Sequence, residues 1–228
     1  MIEDPIVKIA RHLRGPASPL ARRPRFAYAA LGDSFTAGTG CPPGERWADR
    51  LAAALRSRNP DLVYLNLARE GACSTDVLEQ TGPALQLEPD LVTAICGAND
   101  VLESVRPDVD ACAQRIAAIF DRLRAALPET LVVTATLPER WRFLELRPRT
   151  HRRVRTGLER LNESLRALAA ERAIPLLDVA GHPGLDDPAN FAPDGLHPSP
   201  LGHARAAREL ELLLLGPPDD RGREEGRR

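Results

Sequence analysis

From residue 26 onward the chain alternates between two hydrophobic patterns. Short apolar runs, each ending in Gly or a polar cluster, are separated by longer segments with helical spacing. FAYAAL (26–31), LVYLNL (62–67), LVTAIC (91–96), LVVTAT (131–136) and PLLDV (175–179) read as strands. Three of these are nearly continuously apolar, the pattern of strands covered on both faces. Between them, Trp47 to Arg58, Thr75 to Leu87, Val109 to Leu127 and Arg152 to Arg172 have helical period. In the third segment Cys112, Ile116, Ile119, Phe120 and Leu123 form one stripe, with Arg115, Asp121, Arg122 and Arg124 largely off it. A last helix is expected over 200–215, closed by Gly216-Pro217.

Strand and helix alternating five times over most of the chain predicts an α/β fold: a parallel sheet joined by right-handed crossovers, with helices on both faces. Ahead of it, Asp4-Pro5 reads as a helix start, with Ile6, Ile9, Ala10 and Leu13 on one face, and the proline-rich stretch 15–24 as a linker. The expected organisation is a lead-in over 1–25, one domain over 26–215, and a charged, disordered tail over 216–228.

Composition narrows the function classes. With 31 basic against 32 acidic residues in 228, the net charge of −1 gives no long-range field for nucleic acid or an anionic membrane. No apolar run approaches the ~20 residues of a spanning helix, and the amino-terminal stretch has no signal-peptide core, so a cytoplasmic protein without membrane insertion is expected. Cys41, Cys73, Cys96 and Cys112 form no CxxC and have no paired histidines nearby, which makes them candidates for free thiols rather than metal ligands.

Active sites of parallel α/β sheets lie at the carboxyl ends of the strands. Four of those ends are chemically loaded here: Gly32-Asp33-Ser34, Arg69-Glu70-Gly71, Gly97-Ala98-Asn99-Asp100, and the loop Asp194-Gly195-Leu196-His197. Together they hold what acyl transfer needs. A serine hydroxyl requires a base, the base a carboxylate that fixes its tautomer, and the tetrahedral oxyanion fixed donors. Ser34 is the nucleophile candidate, His197 the base and Asp194 its partner. The backbone N–H groups of Ser34 and Gly71 and the side-chain amide of Asn99 are the oxyanion donors. Taken singly, Ser34 could equally be a helix N-cap, Gly71 a turn residue, Asn99-Asp100 a capping pair and Asp194 the start of an Asp-Gly turn. Asp100 is expected to have such a structural role.

The segments GDSFT, Gly71, GAND and DGLHP, in that order and separation, resemble the blocks of the SGNH, or GDSL, hydrolase family over residues 26–215. The first block reads GDSF where the family name has GDSL. The resemblance implies a three-layer, flavodoxin-like α/β/α sandwich with a five-stranded parallel sheet, and hydrolysis without cofactor or metal. By position it assigns Ser34, Asp194 and His197 to the catalytic triad and Ser34, Gly71 and Asn99 to the oxyanion hole. No G-x-S-x-G surrounds Ser34, which disfavours the ordinary α/β-hydrolase fold.

The expected activity is therefore hydrolysis of a small-molecule acyl ester or thioester through an acyl-serine intermediate. The alternatives are an acyltransferase that passes the same acyl group to an alcohol or sugar, and a non-catalytic ligand-binding module on the same scaffold. Residues 139–160 carry eight arginines against three glutamates. They read as a solvated helix face and its lead-in, or, more sharply, as a loop whose Arg147 and Arg149 attract an anionic acyl carrier. Trp141 and Phe143 either line an acyl pocket there or pack beneath the loop.

Overall fold

A computed structural model of the chain describes residues 26–139 and 141–216. The expected amino-terminal helix and linker, and the tail beyond Gly216, lie outside the described residues. The elements run β1 (Ala27–Gly32), α1 (Ser34–Ala37), α2 (Trp47–Arg58), β2 (Val63–Asn66), α3 (Ser74–Leu87), β3 (Leu91–Ile95), α4 (Ala98–Leu102), α5 (Val109–Ala126), β4 (Leu131–Ala135), α6 (Pro148–Glu171), β5 (Leu176–Leu177), two short 3-10 turns (Pro183–Asp186 and Pro188–Asn190) and α7 (Pro200–Leu215). The five strands form a parallel sheet in the order β2-β1-β3-β4-β5, with β1 in the register Ala27 opposite Val63 and Tyr28 opposite Leu91.

The two-residue period of the central strands builds the three layers. Ala29 and Leu31 of β1, with Val92, Ala94 and Val132, pack against α3, α5 and α6 in one core. Tyr28 and Ala30, with Leu91 and Val133, pack against α2 and α7 in the other. The α5 stripe enters the first core as its spacing predicts, Cys112, Ile116, Ile119, Phe120 and Leu123 all being buried. No helix among the described residues is long and apolar enough to cross a membrane.

Two elements depart from their expected limits by more than one residue. Helix α6 begins at Pro148 rather than Arg152, because proline is preorganised for a first helical turn and needs no N–H partner there. Strand β5 covers only Leu176 and Leu177 instead of 175–179. Beyond Leu177 the N–H groups of Val179 and Ala180 both donate to Thr136 Oγ1, at 2.8 and 3.0 Å. Asp178 is drawn to the Thr136 hydroxyl and to Arg166, so side-chain bonds replace the ladder. The short helices α1 and α4 have no counterpart in the sequence pattern, since four or five residues carry no readable period.

Candidate active site

The turn after β1 is held from three sides. Gly32 has φ +159°, and a Cβ there would meet Thr36 Oγ1 at 2.4 Å and the Ile95 carbonyl oxygen at 2.6 Å, so only glycine lets the chain turn so close to α1 and β3. The buried Gln80 side chain on α3 grips the same residue twice, accepting from the Gly32 N–H and donating to its carbonyl, both at 2.9 Å. Asp33, not Ser34, caps α1, its Oδ1 accepting from the Phe35 N–H at 3.1 Å. This leaves Ser34 as the first helical residue, 5% exposed, with its hydroxyl free of partners among the described residues.

Asp33 is buried and its second oxygen, Oδ2, has no partner. Burial pushes its carboxyl up to about 7, against the opposing pull of the Phe35 N–H and of His197, with Asp100 adding to the rise. A carboxyl whose pKa is higher folded than unfolded binds more protons in the folded state between about pH 4 and 7, so it weakens folding as pH rises through that window. Asp33→Asn keeps the acceptor for Phe35 and cannot ionise. Relative to the parent, the variant is expected to gain about 2–3 kcal/mol of stability between pH 5 and pH 8. Melting curves of both proteins at the two pH values check this; an equal gap at both would show that Asp33 does not resist ionisation.

The loop after β5 supplies the other half. Asp194 Oδ1 accepts from the backbone N–H groups of Leu196 and His197 at 2.9 and 3.0 Å, and Oδ2 lies 2.6 Å from His197 Nδ1. Burial works to raise the Asp194 carboxyl, but the His197 ring and these two N–H groups outweigh it and hold the pKa below the usual range. An ionised carboxylate only accepts, so Nδ1 carries a proton, and in the neutral ring the lone pair lies on Nε2. The His197 ring packs on Phe35, the residue after Ser34, at 5.8 Å between centroids. Gly195 lets this loop lie on the segment after β4: a Cβ at this position would meet the Phe143 carbonyl oxygen at 2.0 Å.

On the other flank, Gly71 follows β2 at φ +72° and Asn99 lies in α4. Asn99 Nδ2 donates to the Ala72 carbonyl at 3.0 Å, which fixes the amide orientation and leaves its second N–H available. Neither the Ser34 nor the Gly71 N–H has an acceptor among the described residues. Asp100 is bonded to Ser74 and Arg115, in line with a structural role. The described residues contain no group of three or more His, Cys, Asp or Glu that could hold a metal ion.

The basic segment behaves unevenly. Trp141 is buried beneath the loop, its ring 5.9 Å from that of Phe35, so it packs the core instead of lining an open acyl pocket. Phe143 packs against Phe191 with ring centroids 5.1 Å apart and planes tilted by 50°. Arg142, Arg155 and Arg160 are paired with Asp186, Glu159 and Asp110. Arg147 and Arg149 are exposed at the start of α6 with no carboxylate partner among the described residues. His203 on α7 is buried, and its Nδ1 accepts from the Trp47 N–H at 3.3 Å. Burial, helped by Arg46 and Arg50, pushes its pKa down to about 4 and keeps the ring neutral.

Sequence reasoning missed Gln80, one of several polar residues in its helix, with nothing in the local pattern to mark its backbone target. It also missed the apolar hollow of about 180 Å³ beside the loop after β5, lined in part by Phe35, Leu137, Val179, Phe191 and Pro198. A polar cleft of about 610 Å³ opens on the opposite side, between the loop after α1 and the segment after β2.

A five-stranded parallel sheet between two helical layers, with serine, glycine, asparagine and an Asp–His pair gathered at its carboxyl edge, defines a three-layer α/β protein of the hydrolase kind. The model of the GDSL-like lipase/acylhydrolase family matches residues 30–205, and the chain belongs to that family. Solved structures share the fold at low identity. The psychrotrophic esterase EstA from a Pseudoalteromonas species is 19% identical with a TM-score of 0.61, over 81% of this chain and 93% of that one. TesA is 21% identical at a TM-score of 0.64, over 82% and 97%. The lipase/acylhydrolase from Enterococcus faecalis is 20% identical at 0.65, over 82% and 95%. A search of curated proteins finds no match.

Proposed function

We propose that this member of an esterase/lipase-type hydrolase family is a serine acylhydrolase, cleaving a small-molecule acyl ester or thioester through an acyl-serine intermediate. The observation that carries the reading is the 2.6 Å Asp194–His197 bond, which occupies Nδ1 and assigns the role of base to Nε2, on a ring packed against the residue following Ser34.

His197 Nε2 takes the Ser34 hydroxyl proton as Oγ attacks the carbonyl carbon, and the carbonyl π pair moves onto oxygen. The oxyanion is met by the Ser34 and Gly71 N–H groups and the spare Asn99 N–H. As the tetrahedral species collapses, the leaving alcohol or thiol takes the proton from Nε2. Water then attacks the acyl-serine by the same route and returns Ser34 to its hydroxyl form. No step calls on a cofactor. Four cysteines that are free thiols support a cytoplasmic setting for the reaction.

A fluorophosphonate probe tests the reading: Ser34 should be the labelled residue, and a protein left unlabelled would be a ligand-binding module instead. Product analysis with and without an alcohol acceptor separates hydrolysis from acyl transfer, and free acid as the main product is the expected result. The same reading gives Arg147 and Arg149, exposed and without a carboxylate partner among the described residues, the role of favouring an anionic acyl donor. Changing both to Ala should lower kcat/KM for anionic donors about threefold to tenfold at low salt and leave neutral esters unaffected, because exposed charges act mainly through screened attraction. Equal effects on both substrate types would remove this role.

A further inference from the structure

The two flank donors of the proposed oxyanion hole come from strands that do not touch. Gly71 follows β2 and Asn99 follows β3, while β1 lies between these strands in the sheet. No ladder hydrogen bond joins them directly, only through β1, yet an oxyanion hole depends on donors placed to within a fraction of an ångström. A direct link between them is left to side chains.

A partly buried polar cluster makes that link. Asp100, next to Asn99, accepts from the Ser74 N–H at 2.8 Å through Oδ2 and from the Ser74 hydroxyl at 2.6 Å through Oδ1. Ser74 is fully buried at the start of α3, three residues after Gly71. Arg115 on α5 closes the cluster as a fork, Nη2 to Asp100 Oδ1 at 3.0 Å and Nε to Ser74 Oγ at 2.7 Å. The Asp100 side chain is 8% exposed and that of Arg115 33%. Beside it, Asn99 holds the Ala72 carbonyl at 3.0 Å. The segment carrying Gly71 and the helix carrying Asn99 are thus joined at two points, with Arg115 bracing one of them from a third element.

We propose that Arg115, Asp100 and Ser74 are positioning residues that set the spacing of the oxyanion donors Gly71 and Asn99. This rests on the acyl-serine reading. The cluster touches no substrate and acts through those donors, so its loss is felt in the transition state, where the oxyanion exists, and not in substrate binding. A lysine at position 115 could meet Asp100 but could not span both Asp100 and Ser74, since the guanidinium presents a fixed fork and the ammonium a single point.

The test is a mutant cycle on the full chain with a short p-nitrophenyl ester. Arg115→Ala is expected to lower kcat about 10- to 100-fold with KM within about twofold, less than the 10²–10³-fold cost of deleting a donor outright. Arg115→Lys should recover part of the loss. In an Asn99→Ala background the effect of Arg115→Ala should shrink to about threefold or less, because coupled residues are non-additive. A kcat unchanged by Arg115→Ala, or the same fold-loss in both backgrounds, would overturn the proposal. If Arg115→Ala does not fold, Ser74→Ala removes two of the bonds with little change of volume and carries the same comparison. Ser34→Ala is run alongside: retained activity there defeats the acyl-serine reading itself, whereas its loss with a normal Arg115→Ala enzyme defeats only this inference.

Discussion

Ser34→Ala is expected to abolish ester hydrolysis, lowering kcat about 10⁴- to 10⁶-fold, while the fold survives with stability changed by less than about 1 kcal/mol. The two halves of this expectation have separate causes. The loss of activity follows from the proposed chemistry, since without Oγ neither the covalent intermediate nor the proton transfer to His197 exists. The harmlessness to folding follows from the structure. The Ser34 hydroxyl has no partner among the described residues, Asp33 provides the cap, and the α1 backbone bonds from Gly38 and Thr39 go to the Ser34 carbonyl. Initial rates on a short p-nitrophenyl ester, read beside melting curves, check both. Activity retained by a folded variant would remove the central claim.

Asp194→Asn should cost about 10³- to 10⁴-fold in kcat, nearly as much as removing the base, although it exchanges one oxygen for one nitrogen. The reason lies in how the carboxylate is used. Oδ1 already accepts two backbone N–H groups, so an asparagine at this position keeps its oxygen there and turns its amide N–H₂ toward His197 Nδ1. A donor facing Nδ1 moves the ring proton to Nε2, the atom that must receive the Ser34 proton. Near-parent activity would mean that Asp194 only shapes the loop.

Much of the fold is legible in the sequence because its two periods are long and uninterrupted. Helices α2 and α7 fall at their expected limits, Trp47–Arg58 and Pro200–Leu215, each with its apolar face buried. Core strands β1, β3 and β4 lie within one residue of the apolar runs that predict them. The edge is less legible. Strand β5 stops early because Thr136 captures two N–H groups through a contact more than 40 residues away in the chain, and no local pattern records that competition.

The candidate site divides in the same way. The residue types of the four loaded loops and their order after four strands are matters of sequence, because a parallel sheet with right-handed crossovers delivers every strand end to one edge. What those residues face is decided only in three dimensions. Trp141, half of an aromatic pair that could have lined a pocket, is drawn into the core by Phe35. Asp33 and Asp100 are each an acidic residue beside a proposed functional one, yet one is buried with an unpartnered oxygen while the other joins Ser74 and Arg115. Sequence by itself determined which side chains reach the edge of the sheet, because periodicity and crossover handedness are local and general. Tertiary structure decided which of them are paired, buried or left free, because hydrogen bonds and desolvation depend on neighbours far apart along the chain.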